Sequence, residues 1–220
     1  MAEAALLAPI LDVEADISVY PARAASPVSL RLSPGKIVGL EGPAGYGLTR
    51  LGLSLLAEPS KVGMVVAIDV RGWLSPLAAW EVGVNARRLV VVRCAERRLW
   101  PQVTAAVLEG VAAVYAEIPV GVGEKELQRL AALTRARRTG LALRPLRGGL
   151  PGGITHMRVR GLGVDWEGPE QGHGRLGGRR LSIEVSGKSM PLREVQLEDQ
   201  APSKSVLKEM PGVWRLASGV

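Results

Sequence analysis

At 220 residues the chain is long enough for one substantial domain and a short tail, and too short for two full domains. No apolar stretch approaches the ~20 residues that a bilayer-spanning helix needs, and a single cysteine, Cys94, excludes an internal disulfide or a cysteine-built metal cluster. The formal net charge of +7 favours acidic partners, a polyanion among them.

In chain order, residues 1–29 read as an N-terminal segment. Its first twenty positions hold Glu3, Asp12, Glu14 and Asp16 with no Lys or Arg, unlike a secretory signal, so a cytoplasmic location is expected. A strand is predicted over 36–40. It feeds Glu41-Gly42-Pro43-Ala44-Gly45-Tyr46-Gly47-Leu48-Thr49, and a helix from Thr49 to about Ala57 follows. This is the frame of a phosphate-binding loop, G-x-x-x-x-G-K-[ST], in which backbone N–H groups cradle phosphates, the lysine reaches the terminal ones and the hydroxyl holds magnesium. Gly42, Gly47 and Thr49 keep the frame, whereas Leu48 stands where the lysine belongs. These three residues are therefore the candidate cofactor contacts of a vestigial loop, and no bound cofactor is expected.

Further Val/Ile/Leu-rich runs at 63–69, 88–94, 112–117 and 140–144 alternate with predicted helices at 74–81, 101–108 and 124–138. Such runs, apolar on both faces, predict an α/β fold with a mostly parallel sheet and 36–40 at its centre. The helix at 124–138 carries Glu124 and Glu126 in its first turn and Arg135, Arg137 and Arg138 in its last, with Gly140 as the expected stop. Cys94 reads as a buried thiol, and Trp73, Trp80 and Trp100 as core or subunit contacts. After Pro145 the pattern becomes Gly-rich loops and alternating strands, Thr155 to Trp166 and Arg179 to Val185, which predict an antiparallel pair at the sheet edge. The core is set at 30–192. Beyond it, 193–220 reads as a polar tail whose Val213 and Trp214 are candidate partner-binding anchors.

Between Leu127 and Arg180 eleven arginines face three acids. Arg175, Arg179 and Arg180 are the candidate DNA contacts, with binding expected to be weak, sequence-tolerant and salt-sensitive. His156 and His173 lack a metal-ligand spacing, so no metal site is predicted.

Taken together, the order of features resembles a RecA-type P-loop core. The chain is similar to the ImuA family of inducible-mutagenesis accessory proteins, also described as RecA-like or SulA-like. The resemblance spans roughly 30–191 and rests on Gly35-Lys36-Ile37-Val38-Gly39-Leu40-Glu41-Gly42-Pro43 opening the loop, Val66-Ala67-Ile68-Asp69 as second strand, Gly83-Val84-Asn85 before the third, Ala113-Val114-Tyr115-Ala116-Glu117 in the place of a Walker B strand, and Ser186-Gly187-Lys188 within a late basic turn. It implies a role in the SOS response, in translesion DNA synthesis and mutagenesis, with an ImuB-type pseudo-polymerase as partner and RecA and DNA as further candidates. The chain departs from active recombinases at Arg71, where an acid would orient the attacking water, and at Glu117, where an aspartate would bind magnesium. Phosphoryl transfer depends on positioning and charge stabilisation, so the expectation is an adaptor and not an enzyme. The alternative is a working ATPase whose lysine comes from Lys36, Lys61, Lys188 or a neighbouring subunit.

Overall fold

The computed structural model describes residues 18–21, 30–168, 178–188 and 190–200. Nine strands form one sheet in the order β1-β9-β8-β7-β2-β6-β5-β3-β4. The parallel part holds β2 (Ile37–Glu41), β3 (Val65–Asp69), β4 (Leu89–Arg93), β5 (Ala113–Ile118), β6 (Gly140–Pro145) and β7 (Met157–Glu167). β8 (Gly178–Gly187), β9 (Met190–Gln200) and β1 (Ser18–Pro21) extend it antiparallel. The five apolar runs of the sequence are thus one sheet with 36–40 near its middle.

Every residue of β2, β3, β5 and β6 is buried, as expected where helices cover both faces. On one face α1 (Leu48–Ser54), α2 (Ala57–Val62) and α3 (Pro76–Trp80) join a core that includes Leu40, Leu51, Leu53, Leu56 and Tyr115. α4 (Trp100–Val107) and α5 (Glu124–Arg137) cover the other, around Ile68, Trp100, Leu130 and Leu143. At Gly52 the helix comes so near the sheet that an added Cβ would lie 2.3 Å from the Tyr115 ring. β4 closes the sheet at one edge and is only partly covered, with Val90 exposed.

Four details differ from the sequence reading. The helix expected over 49–57 is two helices, α1 and α2. α5 ends on Arg138, itself in the left-handed region (φ 56°); Gly140 instead begins β6, where Leu32 Cγ approaches to 2.8 Å of the place a Cβ would take. The β7–β8 pair is antiparallel but not at the edge, because the polar stretch past Arg193 continues as β9 to Gln200 and then pairs with β1. Both boundaries drawn from the sequence, at 29 and at 192, therefore have sheet residues beyond them. Trp100 is fully buried as expected, whereas Trp73 is 76% exposed.

Candidate functional site

The six parallel strands deliver their C-terminal ends to one rim of the sheet, the usual location of ligand sites in such folds. Loop 42–47 leaves β2 at this rim. Gly42 (φ 146°) and Gly47 (φ 69°) adopt conformations that L side chains rarely reach, and Gly47 directly precedes α1, so the two glycines of the frame are needed by the turn itself. The loop is filled from within. Leu48 is fully buried, and its Cδ1 lies 3.1 Å from the position of a Cβ on Gly42 and 3.5 Å from one on Gly161 of β7. Leu48 is therefore more than a missing charge: its side chain belongs to the core and occupies space beneath the loop.

Thr49 lies next to Leu48 and faces the ends of β3, β5 and β6. Its Oγ1 accepts from Arg71 Nη2 at 3.4 Å and from an Arg144 Nη1 in close contact. Glu117, 1% exposed at the end of β5, accepts from Arg71 Nε at 3.1 Å, from Arg71 Nη2 in a short ion pair, and from the backbone N–H groups of Val70 and Arg71 at 3.2 and 3.4 Å. One guanidinium thus bridges the Thr49 hydroxyl and the Glu117 carboxylate. The Glu117 hydrogen bond is the main reason the Arg71 pKa is raised above its ordinary value. Arg144 is 5% exposed and stands beside Glu117 in the β5–β6 register; burial lowers its pKa. Burial, with the nearby Glu117 charge, pushes the Tyr115 phenol up.

Two other carboxylates at this rim serve the backbone. Asp69 accepts from the N–H groups of Gly72, Trp73 and Leu74 at 2.8, 3.3 and 3.0 Å. Glu41 accepts from Leu150 N–H at 2.8 Å and pairs with Arg158 Nε at 3.3 Å, which ties the loop after β6 to the end of β2. Asp69, Glu41 and Glu117 are thus each committed to protein groups.

The lysines proposed as substitutes in cis are badly placed. Lys36 precedes β2, Lys61 precedes β3, and Lys188 lies in the turn beside the start of β7, its N–H bonded to His156 O. All three sit at the opposite rim, about 16 Å from the loop along a five-residue strand, beyond the reach of a lysine side chain.

Among the DNA candidates, Arg179 and Arg180 fall on opposite faces of β8. Arg179 stacks on Trp166, its cross-strand neighbour, at 5.8 Å, and its Nη1 lies 3.1 Å from where Gly47 would carry a Cβ. Arg180 pairs with Glu198 at 3.1 Å and Glu167 at 3.6 Å. Arg175, Val213 and Trp214 lie outside the described residues. Cys94 is buried, and burial raises its pKa.

The model of the MT3502 N-terminal domain family matches residues 27–147. The chain belongs to this family. The match runs through β2 to β6 and holds Gly42, Leu48, Thr49, Arg71, Glu117 and Arg144, so the whole interlocked cluster lies within the family domain, while Trp166 and Arg179 lie outside it. No curated protein matches the chain significantly.

Sequence reasoning named Leu48, Arg71 and Glu117 singly but not their junction at Thr49. It missed Arg144, one arginine among many. Its only sequence signal is a charge closing the otherwise apolar run 140–144, the register position beside Glu117.

Proposed function

We propose that this chain is a non-catalytic, cytoplasmic accessory protein with a degenerate RecA-like core, acting in damage-induced translesion DNA synthesis and mutagenesis beside an ImuB-type pseudo-polymerase, with RecA and DNA as further partners. The observation that carries the non-catalytic part is the Arg71 guanidinium between Thr49 and Glu117. It fills the place of a magnesium ion with a fixed cation, and Leu48 leaves no amine to meet a phosphate. The choice of pathway is supported by the order of motifs from Gly35 to Lys188 and rests on that resemblance alone.

Titration of the purified chain with labelled ATP and magnesium is expected to give no saturable binding and turnover below about 0.1 per second, under the range of ordinary enzymes. Leu48→Lys alone is expected to lower the melting temperature without creating a nucleotide site, because the amine would enter a fully buried position. Saturable binding by the wild-type chain would overturn the non-catalytic reading. Affinity capture from DNA-damaged cells tests the pathway: an ImuB-type protein is expected, and its absence from repeated captures rejects the adaptor role.

A further inference from the structure

The rim opposite the blocked loop, where the parallel strands begin, gathers positive charge from three separate stretches of chain. Arg31 and Lys36 lie in the segment that enters β2. Arg135 and Arg138 close α5, and Gly35 sets these two stretches side by side: its N–H bonds to Thr139 O at 3.1 Å, and a Cβ on it would lie 3.7 Å from the Cα of both arginines. Lys188, in the turn from β8 to β9, donates its N–H to His156 O at 3.3 Å, and His156 donates its own to Ile37 O at 2.8 Å. The row thus runs Lys188, Lys36, Arg138 over the order β8-β7-β2-β6, three strand spacings or about 14 Å. All five cations are exposed, and among the described residues none of them is paired with an acid.

Acids are kept away from this row. Glu109, which follows α4 to this end of the core, is held by Arg137 at 2.7 Å, and Glu58 on α2 by Lys61 at 2.9 Å, whereas the exposed Glu96, Glu124, Asp165 and Glu167 stand at the opposite rim. The carboxyl ends of α4 and α5 reach the cationic rim, so some positive charge there answers the helix dipoles. That accounts for Arg135 but not for Arg31, Lys36 and Lys188, which lie outside any helix. Nor does it account for the choice at 138. Arg138 holds the left-handed cap (φ 56°), a place where helices favour glycine, and among the described residues no other non-glycine residue has a positive φ. A strained backbone kept under a charged side chain indicates a use for that charge.

Residues 31–36, 135–139 and 187–188 expose no aromatic ring and no large aliphatic side chain, so they offer neither a platform for unstacked bases nor the apolar centre of a protein interface. What remains is a row of cations on the ends of rigid strands. It suits the phosphates of a double helix, which advance about 3.4 Å per residue along each strand, so that the row faces about four of them. We propose that this rim binds the backbone of duplex DNA, without regard to sequence, through Arg31, Lys36, Arg135, Arg138 and Lys188. Such a surface is a site for the DNA partner of the proposed function, separate from Arg179 and Arg180, and depends on that reading only for its biological setting. Arg31, Lys36, Arg135 and Arg138 fall within the matched family domain and Lys188 outside it.

The test is fluorescence anisotropy of a short labelled DNA duplex with the full chain at low salt, in the absence of nucleotide and of any partner protein. The logarithm of the affinity is expected to fall against that of the salt concentration with a slope of about −3 to −4, the mark of about four released counterions. Lys36→Gln, Lys188→Gln and Arg138→Gly are each expected to weaken binding about threefold or more and to make that slope shallower by about one. Arg138→Gly separates recognition from folding: glycine suits the left-handed cap, so the melting temperature is expected to hold or rise while the affinity falls. Arg179→Ala is expected to leave affinity unchanged, and duplexes of unrelated sequence to bind equally. Absence of saturable binding at low salt, or unchanged affinity when Lys36→Gln, Arg138→Gly and Lys188→Gln are combined, would overturn the proposal. So would tighter binding of a single strand than of the duplex, or displacement by polyglutamate as effective as by unlabelled duplex, which would assign the rim to an acidic protein. Because the assay contains neither ATP nor an ImuB-type protein, its failure leaves the accessory role standing, and failure to capture an ImuB-type protein leaves the DNA-binding rim standing.

Discussion

The two halves of the sheet obey different rules. In the parallel half β2, β3, β5 and β6 are buried along their whole length between two helical layers. In the antiparallel half β8 alternates: Leu181, Ile183 and Val185 face the core with α1, whereas Arg180, Ser182 and Glu184 belong to a half-buried face that no helix among the described residues covers. A strand buried on both sides can place a charge only at its end, which is where Asp69, Glu117 and Arg144 stand. A strand buried on one side can carry charge along its length, and its ion pairs, such as Arg180 with Glu198, are wet. Charge in the first half is therefore committed and specific, and in the second it is exchangeable.

Paired substitutions probe that difference, the largest contrast first. Leu141→Ala in β6 removes a fully buried side chain and is expected to cost about 2–5 kcal/mol, whereas Leu192→Ala in β9, 60% exposed, should stay within about 0.5 kcal/mol. Chemical denaturation of both variants measures this, and equal losses would dissolve the comparison. Gly52→Ala drives a Cβ into the Tyr115 ring and is expected to cost about 1–3 kcal/mol, while Gly163→Ala at the β7 bulge meets nothing within 4 Å and should be close to neutral. Thermal melts distinguish the pair by several degrees. The smallest effect belongs to Arg180→Ala: its partners are partly exposed, so the loss should be below about 1 kcal/mol and should shrink further as salt is added. A loss that persists in high salt would mean that this face is covered.

The same division decides what could be read from the amino-acid sequence. Continuous apolar runs announced β2, β3, β5 and β6 to within one or two residues, because burial on both faces leaves few other residue types tolerable. β9 went unread. Its alternation, with Val195 and Leu197 inward and Glu194, Gln196 and Glu198 on the other face, is the pattern of a one-sided strand, but the high density of polar residues resembles a solvated tail. At the site, Leu48 was legible as a departure from the phosphate-loop frame, since the frame defines which residue ought to stand there. Its inward packing was not, because the frame says nothing of where a replacement side chain will turn. Arg144 carried only a faint local mark, a charge closing the apolar run 140–144; it is the β5–β6 register, a long-range property, that sets it beside Glu117. Trp73 is not in the core, which leaves the subunit contact as the half of its reading still open. Its position just ahead of a helix suggested the core, but three N–H groups bonding to Asp69 turn the backbone so that Leu74 goes inward in its stead.

The junction at Thr49 bears on how the chain can change as well as on its chemistry. Glu117 is almost inaccessible, and Arg71 is the cation that makes its burial tolerable. Placing an acid at position 71 before anything else changes would leave two carboxylates facing each other, and simply deleting the arginine would break a largely buried pair at a cost of about 3–5 kcal/mol. Against a total stability of about 5–15 kcal/mol for a protein of ordinary robustness, either first step is steep. A descendant acquiring a working phosphate-binding loop would have to change positions 48, 71 and 144 almost together, passing through forms less stable than either end. The interlock works as a ratchet: with the guanidinium seated against Glu117, selection for folding alone is enough to keep it there.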